Sequence, residues 1–206
     1  MNTLAALLPA LPPVLGWAAH ARWLHGRLTT ARRDPLTGLW TREAFTRRAR
    51  RLLRDPRAVV VLADVDHFKH VNDVHGHAAG DALLASVATR LAHGTTPGGV
   101  AGRLGGDEFA AVVIDRDNTV TDRLYTLARV LARPVDTQPD VHTTVSLGWV
   151  RAADHPGEDL SSLLRRADEA MYVAKRSGRS GSFRAVRLGR LLGSVAGRRP
   201  GRRGAA

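Results

Sequence analysis

The sequence predicts an α/β (α+β) sandwich of the ferredoxin-like, split βαβ kind, in which a central, mainly antiparallel sheet is flanked by helices. Three observations lead there. Residues 58–63, Ala-Val-Val-Val-Leu-Ala, form a β-branched run that reads as a strand buried on both faces. Two short apolar runs, 100–104 and 109–114, are separated only by Gly105-Gly106-Asp107-Glu108, the pattern of a β-hairpin with a glycine turn. Around them helical and strand periodicities alternate, and a hairpin in the middle of such an alternation favours an antiparallel sheet over a parallel one.

Taken in order, a helix is expected from the N-cap candidate Thr41 through Phe45, Ala49, Leu52 and Leu53 to the stop at Pro56. The strand at 58–63 follows and ends in acid, at Asp64 and Asp66. After Gly80-Asp81, the residues Leu83, Leu84, Val87, Ala88 and Leu91 recur at helical spacing and should pack on the sheet. The hairpin comes next, then a helix with Leu124, Leu127, Ala128 and Leu131. A strand is expected over 143–150, a helix over 161–176 from Leu164, Ala167, Met171 and Ala174, and a last strand near 182–186. The predicted order is therefore β-α-β-β-α-β-α-β after an opening helix.

The formal charge of +12 on 206 residues would suggest a nucleic-acid or membrane partner if it covered the fold. It does not, because residues 1–33 hold four arginines and no acid, and residues 184–206 hold seven arginines and no acid, leaving one net charge for residues 34–183. The divisions follow: an apolar N-terminal segment and linker helix at 1–33, a catalytic-type domain at 34–187, and a basic tail at 188–206 read as a disordered extension. No aromatic follows Phe183 to stack on a base, which argues against nucleic acid; anionic lipid or RNA is the alternative partner for the tail. Residues 1–19 carry no charged side chain and are compatible with membrane contact, but Pro9, Pro12 and Pro13 and the short length argue against a full span. With no basic residue ahead of the apolar run, a signal peptide is not expected. If the segment spans, Arg22, Arg27, Arg32 and Arg33 favour a cytoplasmic domain tethered to the inner face of the membrane. The absence of cysteine excludes disulfides, thiolate nucleophiles and cysteine zinc sites.

Asp64 and Asp66 close one strand while Asp107 and Glu108 sit at the hairpin tip, so neighbouring strands would bring acids together. Converging carboxylates repel unless a hard cation such as Mg²⁺ neutralises them, and Mg²⁺ is typically held by one or two carboxylates plus substrate phosphates. Glycine at 105 and 106 permits positive φ and lets a phosphate approach backbone N–H groups. The layout suits phosphoryl transfer.

The chain resembles the GGDEF family of diguanylate cyclases through most of residues 34–183. The matching blocks are Asp34-Pro-Leu-Thr-Gly-Leu39, Asp64-Val-Asp-His-Phe-Lys-His-Val-Asn-Asp73 with Gly76-His77 and Gly80-Asp81, Arg103-Leu-Gly-Gly-Asp-Glu-Phe109, Val145-Ser-Leu-Gly148, and Tyr172-Val-Ala-Lys-Arg-Ser-Gly-Arg179. The resemblance implies a nucleotidyl-cyclase palm-like version of the fold and the condensation of two GTP into cyclic di-GMP and pyrophosphate. It implies two Mg²⁺ per site, with Mn²⁺ as a substitute, held by Asp64, the Val65 carbonyl, Asp107 and Glu108. Asp107, Glu108 and Lys69 are the implied catalytic residues. Phe68, Gly105 and Gly106 fall among the substrate contacts, Lys69, Lys175 and Arg179 cradle phosphate, and Asn72 and Asp81 read guanine. A carboxylate can accept from both N1–H and the 2-amino group of guanine, a donor pair that adenine lacks. The resemblance further implies that two chains, each holding one GTP, form a catalytic homodimer. The other reading is a silent module that binds GTP or cyclic di-GMP.

Thr96-Pro97-Gly98-Gly99 stand where many family members carry an Arg-x-x-Asp product-inhibition site, and Ser180 where Asn is frequent. Asp66 is open between metal ligand and structural carboxylate, and Asp73 is read as a turn cap. Arg103 is read as an ion-pair partner of the acidic cluster, with substrate contact as the alternative. His77 has a routine place in the loop of the family that the chain resembles, and His67, His70 and His75 are read as solvated or hydrogen-bonded, a transition-metal site being the competing reading for all four.

Overall fold

The computed structural model describes residues 16–17 and 32–176 and the backbone of 184–187. The chain divides into two compact units between Arg32 and Arg33. Arg179, Ser180, most of the 1–33 segment and the 188–206 tail lie outside the described residues. No described helix is long and apolar enough to cross a membrane.

The second unit runs β1 (Trp40–Thr41), α1 (Arg42–Leu52), β2 (Ala58–Val65), α2 (Phe68–His75), α3 (His77–Thr95), β3 (Val100–Gly105), β4 (Glu108–Ile114), α4 (Val120–Leu131), β5 (Val145–Arg151), a short 3-10 turn (Ala152–Asp154), α5 (Leu160–Arg176) and β6 (Arg184–Arg187). The sheet order is β1-β3-β4-β2-β5-β6. The three inner pairings are antiparallel and the two outer ones, β1 with β3 and β5 with β6, are parallel. The expected ferredoxin-like core is present, and two elements add to the expected order. β1 has only two residues, too few for a period, and α2 occupies a stretch to which the pattern assigns no element because its histidines, Asn72 and Asp73 mask a helix with one buried side chain, Val71. Asp73 lies inside α2 rather than at a turn.

β2 is central because it is apolar on both faces. Val59, Val61, Ala63 and Val65 pack with Leu83, Leu84, Val87 and Leu91 of α3 and with Leu124, Ala128 and Leu131 of α4. Ala58, Val60 and Leu62 point the other way, onto Phe45 and Ala49 of α1 and Leu163, Ala167 and Met171 of α5. Helices therefore cover both faces of the sheet, and each buried valine or leucine contributes about 1.5–3 kcal/mol of transfer free energy. The close approach of α5 depends on Gly148 in β5, where a Cβ would stand 1.9 Å from the Ala167 carbonyl oxygen.

One carboxylate is embedded in this packing. Asp115, just past β4, is 4% exposed, accepts from the Val120 N–H at the start of α4 (3.0 Å) and pairs with Arg151 at 2.5 Å. It fixes the first turn of α4 against β5, a role with no local signal in the sequence.

Candidate active site

The register of the sheet builds the site. β2 and β4 pair from Ala58 with Ile114 through to Asp64 with Glu108, so the last pair places two carboxylates opposite one another on the face covered by α1 and α5. Beyond them the chain turns through Gly105 (φ 148°) and Gly106 (φ 52°), conformations that favour glycine, and no atom lies within 4 Å of where a Cβ would be at either position. The Val65 N–H donates to the Asp107 carbonyl oxygen at 3.3 Å, tying the end of β2 to the hairpin tip. Asp64 and Glu108 thus face one another on adjoining strands, and Asp107 stands in the turn that joins β3 to β4.

α5 brings a cation to the acidic end of β2. Lys175 Nζ bonds Asp64 Oδ1 and lies 3.6 Å from Asp66 Oδ1. Burial works to lower the pKa of Lys175, but the bond to Asp64 and the charges of Asp64 and Asp66 outweigh it and raise the pKa above the ordinary lysine value. Asp66 itself is held by β5 and its approach: Ser146 Oγ donates to Oδ1 at 2.7 Å and Thr144 Oγ1 to Oδ2 at 2.5 Å. Its backbone N–H donates to the Thr144 carbonyl (2.9 Å), and its own carbonyl accepts from Thr143 Oγ1 (2.6 Å). These bonds fix the end of β2 to β5 through Asp66.

α2 starts directly after this acidic end, from His67 in the left-handed region (φ 55°). Phe68 is half-buried against the core, Lys69 is exposed, and Asn72 turns inward with Oδ1 buried and without a hydrogen-bond partner. Gly80 of α3 makes room for it: a Cβ there would stand 1.9 Å from Asn72 Oδ1 and 3.2 Å from the Phe68 ring. Asp81, next in α3, is exposed. Asn72, Phe68, Gly80 and Asp81 are therefore gathered where α2 and α3 meet, next in the chain to the acidic end of β2.

Two arginines behave in ways that local sequence does not signal. Arg42, at the start of α1, donates from Nε to the Leu104 carbonyl (2.8 Å) and lies 3.9 Å from Glu108 Oε2. Arg103 does not pair with the acidic cluster: it pairs with Asp34 at 3.1 Å and with the Gly106 carbonyl oxygen. The partner expected from proximity in sequence is replaced by one 69 residues upstream, because β3 carries the guanidinium toward the entry turn at 34–38.

The donor set is all oxygen, which suits a hard divalent cation such as Mg²⁺. Among the described residues no three His, Cys, Asp or Glu side chains gather into a ready-made cage, so such an ion would draw the rest of its shell from backbone and substrate oxygens. His67, His70, His75 and His77 are each exposed and belong to no such group.

A model of the diguanylate cyclase GGDEF domain matches residues 31–181. The chain is 47% identical over 183 residues to the uncharacterized 19.3 kDa protein in the repSA 5′ region of Streptomyces ambofaciens, covering 88% of this chain and 96% of that one. It is 36% identical over 156 residues to diguanylate cyclase DgcN of Escherichia coli, covering 72% of this chain but only 38% of that protein. Among solved structures, the coiled coil and GGDEF domain of DgcB from Caulobacter crescentus, in complex with c-di-GMP, aligns with a TM-score of 0.65 and 27% identity over 91% of this chain and all of that one.

Proposed function

This chain belongs to the GGDEF family of diguanylate cyclase domains, and on that premise we propose that it condenses two GTP molecules into cyclic di-GMP with release of pyrophosphate. The observation that carries the reading is the register of β2 and β4, which sets Asp64 opposite Glu108 with Asp107 at the tip beside them. When bound, two Mg²⁺ (or Mn²⁺), held by Asp64, the Val65 carbonyl, Asp107 and Glu108, would polarise the α-phosphate and lower the pKa of the attacking 3′-hydroxyl. Lys175, already drawn to this acidic end, neutralises phosphate oxygens together with Lys69 and with Arg179, which lies outside the described residues. The open Gly105-Gly106 turn lets phosphate approach the main chain.

Asn72 supports the choice of base. Its buried oxygen lacks a partner, and a guanine N–H supplies one; Asp81, exposed on the neighbouring helix, adds a carboxylate for the N1–H and 2-amino pair. Each chain contributes one GTP and half of the reaction, so activity depends on a homodimer working on the cytoplasmic side, where GTP is available. Feedback through the Arg-x-x-Asp route is not expected. Gly99 stands where the Asp would be, and a Cβ there would lie 2.3 Å from the Thr95 carbonyl oxygen and 2.8 Å from that of Val112.

The test is incubation of the purified protein with GTP and Mg²⁺, chromatography for cyclic di-GMP, and the same assay on Asp107→Ala. Product from the wild type and none from the variant is expected. A dimeric wild type that binds GTP and makes no product would leave the silent binding module as the answer.

A further inference from the structure

The Gly105–Gly106 turn has no side chain of its own to hold it. Glycine sacrifices more conformational freedom on ordering than any other residue, and a register shift between Arg103 and Gly105 interrupts the β3–β4 ladder just before the turn. Something outside the turn has to fix it. Arg103 supplies two donors to one acceptor: Nε (3.0 Å) and Nη2 (2.8 Å) both reach the Gly106 carbonyl oxygen. Nη1 donates to Asp34 Oδ1 at 3.1 Å. Because guanidinium is planar and its donors are fixed relative to one another, anchoring Nη1 also sets the direction of the other two.

Both ends of the arrangement are secured. The Arg103 main chain is paired with Thr41 of β1 on one side and Phe109 of β4 on the other, and its side chain is largely buried. Asp34 accepts from the Thr37 N–H (2.9 Å) and Thr37 Oγ1 (2.6 Å), while its own N–H donates to the Leu39 carbonyl. Arg33, one residue earlier, stacks on Trp40 at 3.5 Å while Arg48 stacks on the same ring at 3.3 Å, which holds the entry turn against β1 and α1. Burial works to raise the Asp34 pKa, but the two Thr37 bonds and Arg103 outweigh it and hold the carboxyl below its ordinary value, so Asp34 is charged at neutral pH.

We propose that Arg103 is a positioning residue: clasped by Asp34, it holds the Gly105–Gly106 turn so that Asp107 and Glu108 stand where the GTP chemistry needs them. Arg103 touches neither phosphate nor metal in this role; it acts through the Gly106 carbonyl. The inference rests on the reading of this turn as the substrate turn, and it connects the first turn of the family domain to that site through a single side chain. Lysine keeps the charge but loses the fork, so charge alone does not replace Arg103.

The experiment uses the full chain as wild type, Arg103→Lys, Asp34→Asn and the double variant, with amide hydrogen exchange and GTP kinetics as paired readouts. In Arg103→Lys, exchange at residues 105–107 should rise about tenfold or more while the β2 and β4 amides stay as in the wild type. kcat should fall about 10- to 100-fold with the KM for GTP within about threefold, since a small misplacement of reacting groups costs rate before affinity. Asp34→Asn should move both readouts the same way by less, and the double variant should be no worse than Arg103→Lys, as expected when two residues act through one clasp. Wild-type exchange in the turn, unchanged kcat, or additive effects would overturn the proposal. Should Arg103→Lys fail to fold, Asp34→Asn, which keeps the shape and removes the charge, decides the question by the same two readouts. A wild type that makes no cyclic di-GMP defeats the functional reading, whereas the exchange data still decide whether the clasp orders the turn.

Discussion

Replacing Gly148 by alanine probes how tightly α5 is seated on the sheet. A Cβ at this position would lie 1.9 Å from the Ala167 carbonyl oxygen, 2.6 Å from the Met171 amide nitrogen and 2.7 Å from Met171 Cβ. None of these atoms is the far end of a flexible side chain, so no rotamer change relieves the overlap. Either α5 retreats by an ångström or more, or β5 bends away and strains its pairing with Leu62 of β2. Inserting a methyl into a packed core costs about 1–3 kcal/mol when side chains can adjust, and with backbone on the opposing side the upper end, about 3 kcal/mol, is expected. For a domain of this size each kcal/mol is worth roughly 2–4 °C, which gives a fall in Tm of roughly 6–12 °C. The assay is a thermal melt followed by circular dichroism, with urea unfolding to give the free energy. Because α5 also carries Lys175, GTP turnover per folded molecule should drop too. A Tm within about 2 °C of the wild type would show that the two elements are not packed as tightly as the geometry requires.

At the junction of α2 and α3, Gly80→Ala should push on Asn72 and Phe68, weakening GTP binding about tenfold and narrowing the preference for GTP over ATP, measured by competition titration; unchanged affinity would separate Asn72 from base recognition. Arg151→Met leaves the buried Asp115 carboxylate without its ion-pair partner, and urea unfolding should report a loss of about 3–5 kcal/mol, a loss under about 1 kcal/mol being inconsistent with the burial of that pair. The Asp34 carboxyl titrates below its ordinary value in the folded chain, so its contribution is fully present above the unfolded pKa of about 4 and fades as pH falls through the lower folded value. Asp34→Asn should therefore flatten part of the acid limb of a stability-against-pH curve taken by urea unfolding between about pH 5 and pH 2, and identical limbs would contradict the assignment.

What could be read in advance follows the range of the interactions. β2 was legible because burial on both faces leaves an unbroken run of valines, and the hairpin because two glycines between apolar runs allow little else. α3 starts at His77, earlier than the apolar pattern indicates, because Gly80 stands inside the helix to admit Asn72 rather than ahead of it to end a loop. The acids at 64, 107 and 108 announced themselves by lying at strand ends. The anchors of Asp66 and Arg103 did not, since the hydroxyls that hold Asp66 lie 77 to 80 residues away and the Asp34 that clasps Arg103 lies 69 residues upstream, approaches set by the fold and not by any local pattern.

The central place of β2 has a consequence for how this protein would lose its function on heating. β2 is bonded along its length to β4 on one side and β5 on the other, so Asp64 cannot leave its neighbours by the fraying of an edge or the opening of a loop. Freeing it means separating the middle of the sheet, which takes both layers of helices with it. Displacement of Asp64 on warming should accordingly coincide with global unfolding, with no folded population in which that carboxylate alone has left its place.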